Sequence, residues 1–111
     1  MARILERTSS LSAAAANDVI GTAVNVAGCL SASMQVGGTF VAEVTAEASQ
    51  CGNVWFEIYG HDVSDANHAL DKKITAPGMI VFEHLAGIQF LRAKTTAYTS
   101  GAVDACFAGV G

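Results

Sequence analysis

Alternating apolar and polar residues predict β-strands through most of the chain. The pattern is clearest in residues 39–48, where every even-numbered residue from Phe40 to Ala48 is apolar and the odd-numbered residues include Glu43 and Glu47. Because the side chains of a strand point alternately to opposite faces, this spacing places the apolar set on a core face and both glutamates on a wet outer face. Residues 39–48 are therefore predicted to form a half-buried strand.

Other segments with strand-like composition are separated by turn-forming residues. They are residues 22–27, 30–36, 54–59, 70–75, 79–84, 88–96 and 103–108. The turn signals include Gly28, Gly37-Gly38, Gly60, Pro77-Gly78, Gly87 and Ser100-Gly101. About eight short strands with regular turns predict an all-β protein, an antiparallel β-sandwich of the jelly-roll type. Residues 60–69 are rich in turn formers and are predicted to be the longest loop.

The composition of the chain changes near Asn17. Residues 1–17 contain a serine cluster and four consecutive alanines, with few large apolar groups. We interpret residues 1–17 as an extended N-terminal arm and residues 18–111 as the sandwich domain, because so short a segment needs another surface to become ordered. The arm residues best suited to binding another protein are Arg3, Ile4, Leu5, Arg7 and Leu11.

The surface of the protein is predicted to carry few charges. The 111 residues include six Lys and Arg and ten Asp and Glu, so that 14% are charged, compared with about 25% in an average globular protein. The scaling of folded surface with mass gives about 5,800 Å², or roughly 360 Å² per charge, which favours a surface partly covered by other protein chains. The alternative is that exposed Ala, Ser, Thr and Gly supply a neutral surface without any partner.

The same composition excludes several classes of function. The net charge is −4 and the Lys and Arg residues do not cluster, which argues against binding to nucleic acid or to anionic membranes. The chain has no run of about 18 apolar residues, so no membrane span is predicted. The first residues lack a continuous apolar segment, so we expect no export signal.

Few residues suggest catalysis, and we expect a protein that is not an enzyme and needs no metal or cofactor. Cys29, Cys51 and Cys106 are far apart and form no Cys-x-x-Cys pair, which predicts reduced, unpaired thiols. The candidate metal ligands are His61, Asp62, Asp65 and His68. Their spacing is typical of a solvated loop, which is the favoured interpretation. The chain also lacks the Gly-x-Ser-x-Gly motif of serine hydrolases.

An aromatic stripe is predicted on the strand at residues 54–59. Trp55, Glu57 and Tyr59 share one face, and Val54, Phe56 and Ile58 share the other. A stripe of two aromatic rings and a carboxylate suits an interface anchor or a platform for stacking a sugar ring. The alternative is that both faces of the strand are buried.

Two cations alternate with apolar residues on the strand at residues 88–96. Arg92 and Lys94 are too few to form a basic patch. We expect them to form ion pairs across strands with glutamates, for which the candidates are Glu43, Glu47 and Glu57.

The order of motifs resembles that of a family of phage proteins. The motifs are Gly38-Thr-Phe40 leading into the alternating strand, Ser49 with Gly52-Asn-Val-Trp55, Leu91-Arg92, and Thr99-Ser-Gly101 before the final strand. Across residues 21–108 the chain is similar to small β-sandwich virion proteins of tailed bacteriophages, of the capsid decoration or cement type. It departs from that pattern at Gln50-Cys51, where the family has Asn-Asp.

The resemblance implies a structural protein that binds the outside of the phage head. Its expected partners are the major capsid protein and copies of itself, in a homo-oligomer such as a trimer, with the arm lying across neighbouring capsid subunits. The expected location is the capsid surface of the virion, after assembly in the host cytoplasm. The alternative function is a glycan-binding module of a tail or head appendage, in which Trp55 and Tyr59 would form the platform.

Overall fold

The computed structural model describes residues 3–63, 65–67 and 69–111. Within these ranges the chain forms nine strands and no helix. The strands are β1 (Ile4–Ala14), β2 (Val24–Asn25), β3 (Ser31–Ser49), β4 (Phe56–Glu57), β5 (Gly60–Asp62), β6 (Leu70–Asp71), β7 (Lys73–Ile74), β8 (Gly78–Phe82) and β9 (Phe90–Val110). All the strand pairs are antiparallel. The all-β antiparallel fold predicted from the sequence is therefore confirmed.

Two long strands organise the sheet. β3 and β9 pair with each other along nearly their whole length, from Ser31 opposite Val110 to Ser49 opposite Phe90. The remaining strands attach to different ends of this pair. The β8 half comprises β1, β5, β6 and β8 with the adjoining parts of β3 and β9, in the order β1-β9-β3-β8-β5-β6. The β4 half comprises β2, β4 and β7 with the remaining parts of β3 and β9.

Both halves bury one face in the same apolar core. The core contains Met34, Ile80 and Phe107 from the β8 half and Val44 and Leu91 from the β4 half, each at most 1% exposed. The molecule is thus a sandwich whose two layers are joined through β3 and β9 into one hydrogen-bonded sheet. The apolar positions predicted from alternation in residues 39–48 do face this core.

Two glycines that the sequence analysis assigned to turns lie inside β3 and β9. That assignment was wrong, because Gly38 lies opposite Val103 and Gly101 lies opposite Phe40 inside the long ladder. Both glycines have positive φ, 104° at Gly38 and 92° at Gly101. A Cβ atom on Gly101 would overlap the carbonyl oxygen of Thr39. These glycines let β3 and β9 approach closely in a backbone conformation that other residues avoid, which is another common reason for glycine within a strand.

The segment that the sequence analysis described as an arm lies in the sheet. β1 is an edge strand that pairs with β9, from Ile4 opposite Val110 to Ala14 opposite Val103. Ser10 joins it to the rest of the fold, since its hydroxyl donates to the Thr22 carbonyl oxygen at 2.8 Å and accepts from the Ala93 amide. The polar composition of β1 suits an edge strand, where most side chains face water, and this explains why it did not resemble a core strand.

Among the described residues, no helix is both long and apolar enough to cross a membrane.

Candidate interaction surfaces

The outer face of the β4 half carries most of the ion pairs of the structure. Arg92 Nε lies 2.8 Å from Glu47 Oε1, as expected from the sequence for Arg92. Lys73 Nζ lies 3.0 Å from Glu43 Oε1, and the hydrogen bond and charge of Glu43 raise the pKa of Lys73. Stability from that pair is present while Lys73 is protonated and is lost as the pH rises through this raised pKa. Ion pairs between neighbouring strands therefore stabilise this face.

Lys94 pairs differently from the expectation. Its Nζ lies 4.0 Å from Asp18 Oδ1, and it makes no ion pair with a glutamate among the residues that the structure describes. Asp18 belongs to the segment that crosses over β9, where its amide donates to the Thr95 carbonyl oxygen at 3.0 Å. A sequence pattern within strands could not place this loop residue beside Lys94.

Trp55 is packed onto the guanidinium of Arg92. The centre of its ring lies 4.0 Å from Arg92 Cζ, and its indole Nε1 donates to the Gly52 carbonyl oxygen at 3.1 Å. Glu47, the ion-pair partner of Arg92, is 9% exposed. The expectation that Glu47 faces water was therefore wrong, because its carboxylate is buried against Arg92, whose guanidinium stacks on Trp55.

The other two members of the predicted stripe, Tyr59 and Glu57, lie near the same lysine. Lys72 Nζ lies 3.3 Å from Glu57 Oε2 and 5.9 Å from the centre of the Tyr59 ring. Each aromatic ring of the stripe therefore has a cation near it, and Glu57 is already paired. This arrangement resembles a charge-stabilised surface more than an open platform for stacking a sugar.

An exposed apolar groove lies on the opposite side of the same segment. Val54 and Phe56 are 56% and 69% exposed, and they border a depression of about 400 Å³ together with Ile58 and Ile88. Ile58 and Ile88 also border a second depression of about 330 Å³, which is more polar, since its lining includes Glu57, Tyr59, His61, Glu83 and His84 beside Leu70. We call the surface around Val54, Phe56, Ile58 and Ile88 the apolar groove.

The position of this groove could not be derived from alternation alone. The sequence placed Val54, Phe56 and Ile58 together on one face, and only Ile58 of the three packs against the core. Only Phe56 and Glu57 of this segment pair as a strand, at the end of β3. The segment therefore crosses the end of the sandwich, and one of its apolar faces is left in solvent. The sequence did contain a signal, because both faces of residues 54–59 carry apolar or aromatic side chains. A segment that crosses the end of a sandwich can bury only one of its two faces, so the other is left exposed.

Cys51 lies at the rim of the apolar groove. It is exposed, whereas Cys29 is buried and Cys106 is half-buried, and all three are free thiols. The backbone amide of Asn53, 3.4 Å from the sulfur, is the largest of several hydrogen-bonding effects that lower the pKa of the Cys51 thiol. Because the thiolate is the nucleophilic form, Cys51 is the thiol best placed to react with an alkylating reagent.

The five residues named for the arm differ in accessibility. Leu11 is 3% exposed and lies in the core, and Leu5 is half-buried against it. Arg3 is tied to the loop after β2, where its guanidinium donates to the carbonyl oxygens of Asn25 and Ala27. Ile4, at 75% exposed, and the exposed Arg7 are therefore the arm residues that a partner can reach without detaching β1.

The loop with the candidate metal ligands is described only in part. His61 lies in β5, with Nε2 3.9 Å from Glu83 Oε2, and His68 lies outside the described residues. In the ranges that the structure describes, no three His, Cys, Asp or Glu side chains form a group that could hold a metal ion.

Comparisons with known proteins identify solved structures that share the fold. No protein-family model matches the chain, and no curated protein matches it in sequence. Two solved structures share the fold. SPBc2 prophage-derived protein YomS matches with a TM-score of 0.77 and 17% identity, over 98% of this chain and 96% of that one. PBSX exported protein XepA matches with a TM-score of 0.83 and 18% identity, over 99% of this chain.

The two neighbours differ in size relative to this chain. YomS is matched over nearly its full length, whereas the chain spans 38% of the XepA chain. At these identities the likeness shows the fold. The name of YomS describes it as a prophage-derived protein, and that of XepA as an exported protein.

Proposed function

We propose that the protein is a non-enzymatic structural protein of a phage virion, and specifically a capsid decoration protein that binds and stabilises the head. Its partners are the major capsid protein and further copies of the same chain. The observation that carries this proposal is the apolar groove, in which Val54 and Phe56 are each more than half exposed. The fold likeness to the prophage-derived protein YomS supports the phage context.

The groove has the composition of a protein-binding site. Burying a large apolar side chain contributes about 1.5–3 kcal/mol, and aromatic anchors such as Phe56 are enriched at the centres of interfaces. The groove is also supported by a rigid scaffold, since Ile58 packs against the core and its amide donates to the Ala46 carbonyl oxygen at 3.1 Å. A preformed surface loses little conformational entropy on binding, which favours affinity.

A cement protein must contact more than one neighbouring subunit to hold a joint closed. The groove supplies one contact. Ile4 and Arg7 on β1 supply a second, on the β8 half, because they are the accessible arm residues. Leu5 and Leu11 contribute to the sandwich in this proposal and not to the capsid contact.

Phe56→Asp is expected to reduce binding to isolated, expanded phage heads by at least about tenfold, because a charge would be placed at the centre of an apolar contact. Bound copies per head are counted by quantitative mass spectrometry after sedimentation of the heads. Val41→Asp is the matched control, since Val41 is 58% exposed on β3 and lies outside the groove. Equal occupancy of the wild-type protein and Phe56→Asp, with both folded by circular dichroism, would remove the groove from the proposal.

The glycan-binding alternative rests on Tyr59, which is 58% exposed. We give it less weight, because Arg92 lies over the Trp55 ring and Lys72 lies near the Tyr59 ring. A sugar would have to use the remaining ring faces or displace these cations.

A further inference from the structure

The second depression, beside the apolar groove, combines apolar walls with an acidic rim. Its volume of about 330 Å³ is at the lower end of the range for ligand pockets, which is about 300–1,000 Å³. Ile58, Leu70 and Ile88 supply apolar surface, and Glu57 and Glu83 supply the carboxylates that border it. This size and composition suit one long side chain with an apolar stem and a positively charged end.

The two carboxylates of the rim differ in their partners. Glu57 is paired with Lys72, whose Nζ also lies 5.9 Å from the centre of the Tyr59 ring. The side chain of Glu83 is 58% exposed, and in the part of the chain that the structure describes its only ion-pair contact is His61 Nε2, at 3.9 Å. Histidine carries a charge only when it is protonated. Glu83 is therefore a carboxylate at the edge of a depression without a lysine or arginine partner among the described residues.

The second depression adjoins the apolar groove. Ile58 and Ile88 border both, so they form the wall between them. In an extended segment, side chains two residues apart lie on the same face, about 6.6 Å from each other. One segment of a partner protein therefore presents an apolar side chain to the groove beside Phe56 and another side chain to the second depression.

We propose that the second depression binds an arginine side chain of the same capsid segment that occupies the apolar groove, with the guanidinium paired to Glu83. The inference rests on the proposed function, because the segment belongs to the capsid partner. The methylene stem of an arginine lies along apolar surface while its charged end stays at the rim. Arginine fits better than lysine, since its planar guanidinium pairs with a carboxylate through two hydrogen bonds and is enriched at interfaces where lysine is depleted.

Removal of the Glu83 charge tests the pairing on phage heads. Glu83→Gln keeps the shape of the side chain and is expected to weaken binding to isolated, expanded heads by at least about fivefold, because the guanidinium loses its carboxylate. Thr99→Lys is the matched control. It makes the same change in net charge at an exposed position of β9 that borders neither depression, and it is expected to bind as the wild-type protein does. Circular dichroism confirms that each variant is folded.

A short peptide tests the second depression without phage heads. The probe is acetyl-Leu-Ser-Arg-amide, and its control carries citrulline, a neutral side chain of nearly the same shape, in place of arginine. Binding is followed by NMR through the backbone amide shifts of Leu70, Glu83 and His84, at about pH 8, where histidine is neutral. The arginine peptide is expected to bind at least about fivefold more tightly than the citrulline peptide, and Glu83→Gln is expected to remove this difference.

Equal binding of the two peptides, or a preference for arginine that Glu83→Gln leaves unchanged, would overturn the proposal. Shifts of the same amides when the protein alone is diluted would identify a second copy as the occupant. Shifts with maltose but not with the arginine peptide would identify a sugar, and either result contradicts the proposal. The capsid role fails separately, since a wild-type protein that does not bind heads contradicts that role, whereas heads that bind the wild-type protein and Glu83→Gln equally contradict only the arginine contact.

Discussion

Gly101→Val is expected to destabilise the fold by about 3 kcal/mol or more, because it adds backbone strain to a steric overlap. Gly101 has φ of 92° in the middle of β9, a conformation that β-branched residues avoid. Its missing side chain also makes room for β3, since a Cβ atom would overlap the Thr39 carbonyl oxygen and lie 2.6 Å from Phe40 Cα. Relief of this overlap requires the two longest strands to separate at this position.

The free energy of unfolding in urea, followed by tryptophan fluorescence and by circular dichroism, measures this effect. Gly37→Ala is the matched control. Gly37 lies in the same ladder without a positive φ, and a Cβ atom there meets no other atom within 4 Å. The control is expected to change stability by less than about 1 kcal/mol in either direction. A loss at Gly101 no larger than that of the control would show that the close approach of β3 and β9 does not depend on this glycine.

The second large effect is expected at Glu47, where Glu47→Ala should cost about 2–3 kcal/mol. The side chains of Glu47 and Arg92 are 12% and 19% exposed. Removal of the carboxylate leaves the guanidinium poorly hydrated beneath Trp55, without its 2.8 Å partner. Breaking one side of a covered pair is costly because the remaining charge is uncompensated.

Glu43→Ala is the control for this prediction. The Glu43–Lys73 pair has similar geometry, but its side chains are 32% and 46% exposed, so water can replace the lost partner. Its expected cost is below about 1 kcal/mol. A double variant, Glu47→Leu with Arg92→Leu, is expected to be more stable than Glu47→Ala, because it leaves no unpaired charge. Equal losses for Glu47→Ala and Glu43→Ala would contradict the covered position of the Glu47–Arg92 pair.

The fold class could be predicted because strand alternation is a local property. Residues 39–48 alternate cleanly, and their even-numbered positions do face the core. The sequence could not show in the same way that neighbouring predicted strands are continuous in the structure, as they are in β3 and β9. Gly37-Gly38 and Ser100-Gly101 have the composition of turns, and only the pairing of β3 with β9 shows that they serve close backbone approach instead.

The interaction surfaces were predicted in part. The Arg92–Glu47 pair followed from cross-strand spacing, because both residues lie on regular strands. The exposure of Phe56 did not, since it depends on how the segment after β3 crosses the end of the sandwich. The incorporation of β1 depends on the pairing of residues that are far apart in sequence, such as Ser9 with Cys106.

The central claim is that the exposed apolar groove of this β-sandwich binds other protein chains of a virion. Cryo-electron microscopy of intact phage virions, purified from cells that produce the chain, tests it most directly. The account predicts ordered density of this fold on the outside of the head, with the apolar groove around Phe56 facing the capsid shell. Virions whose heads lack this density would contradict the account.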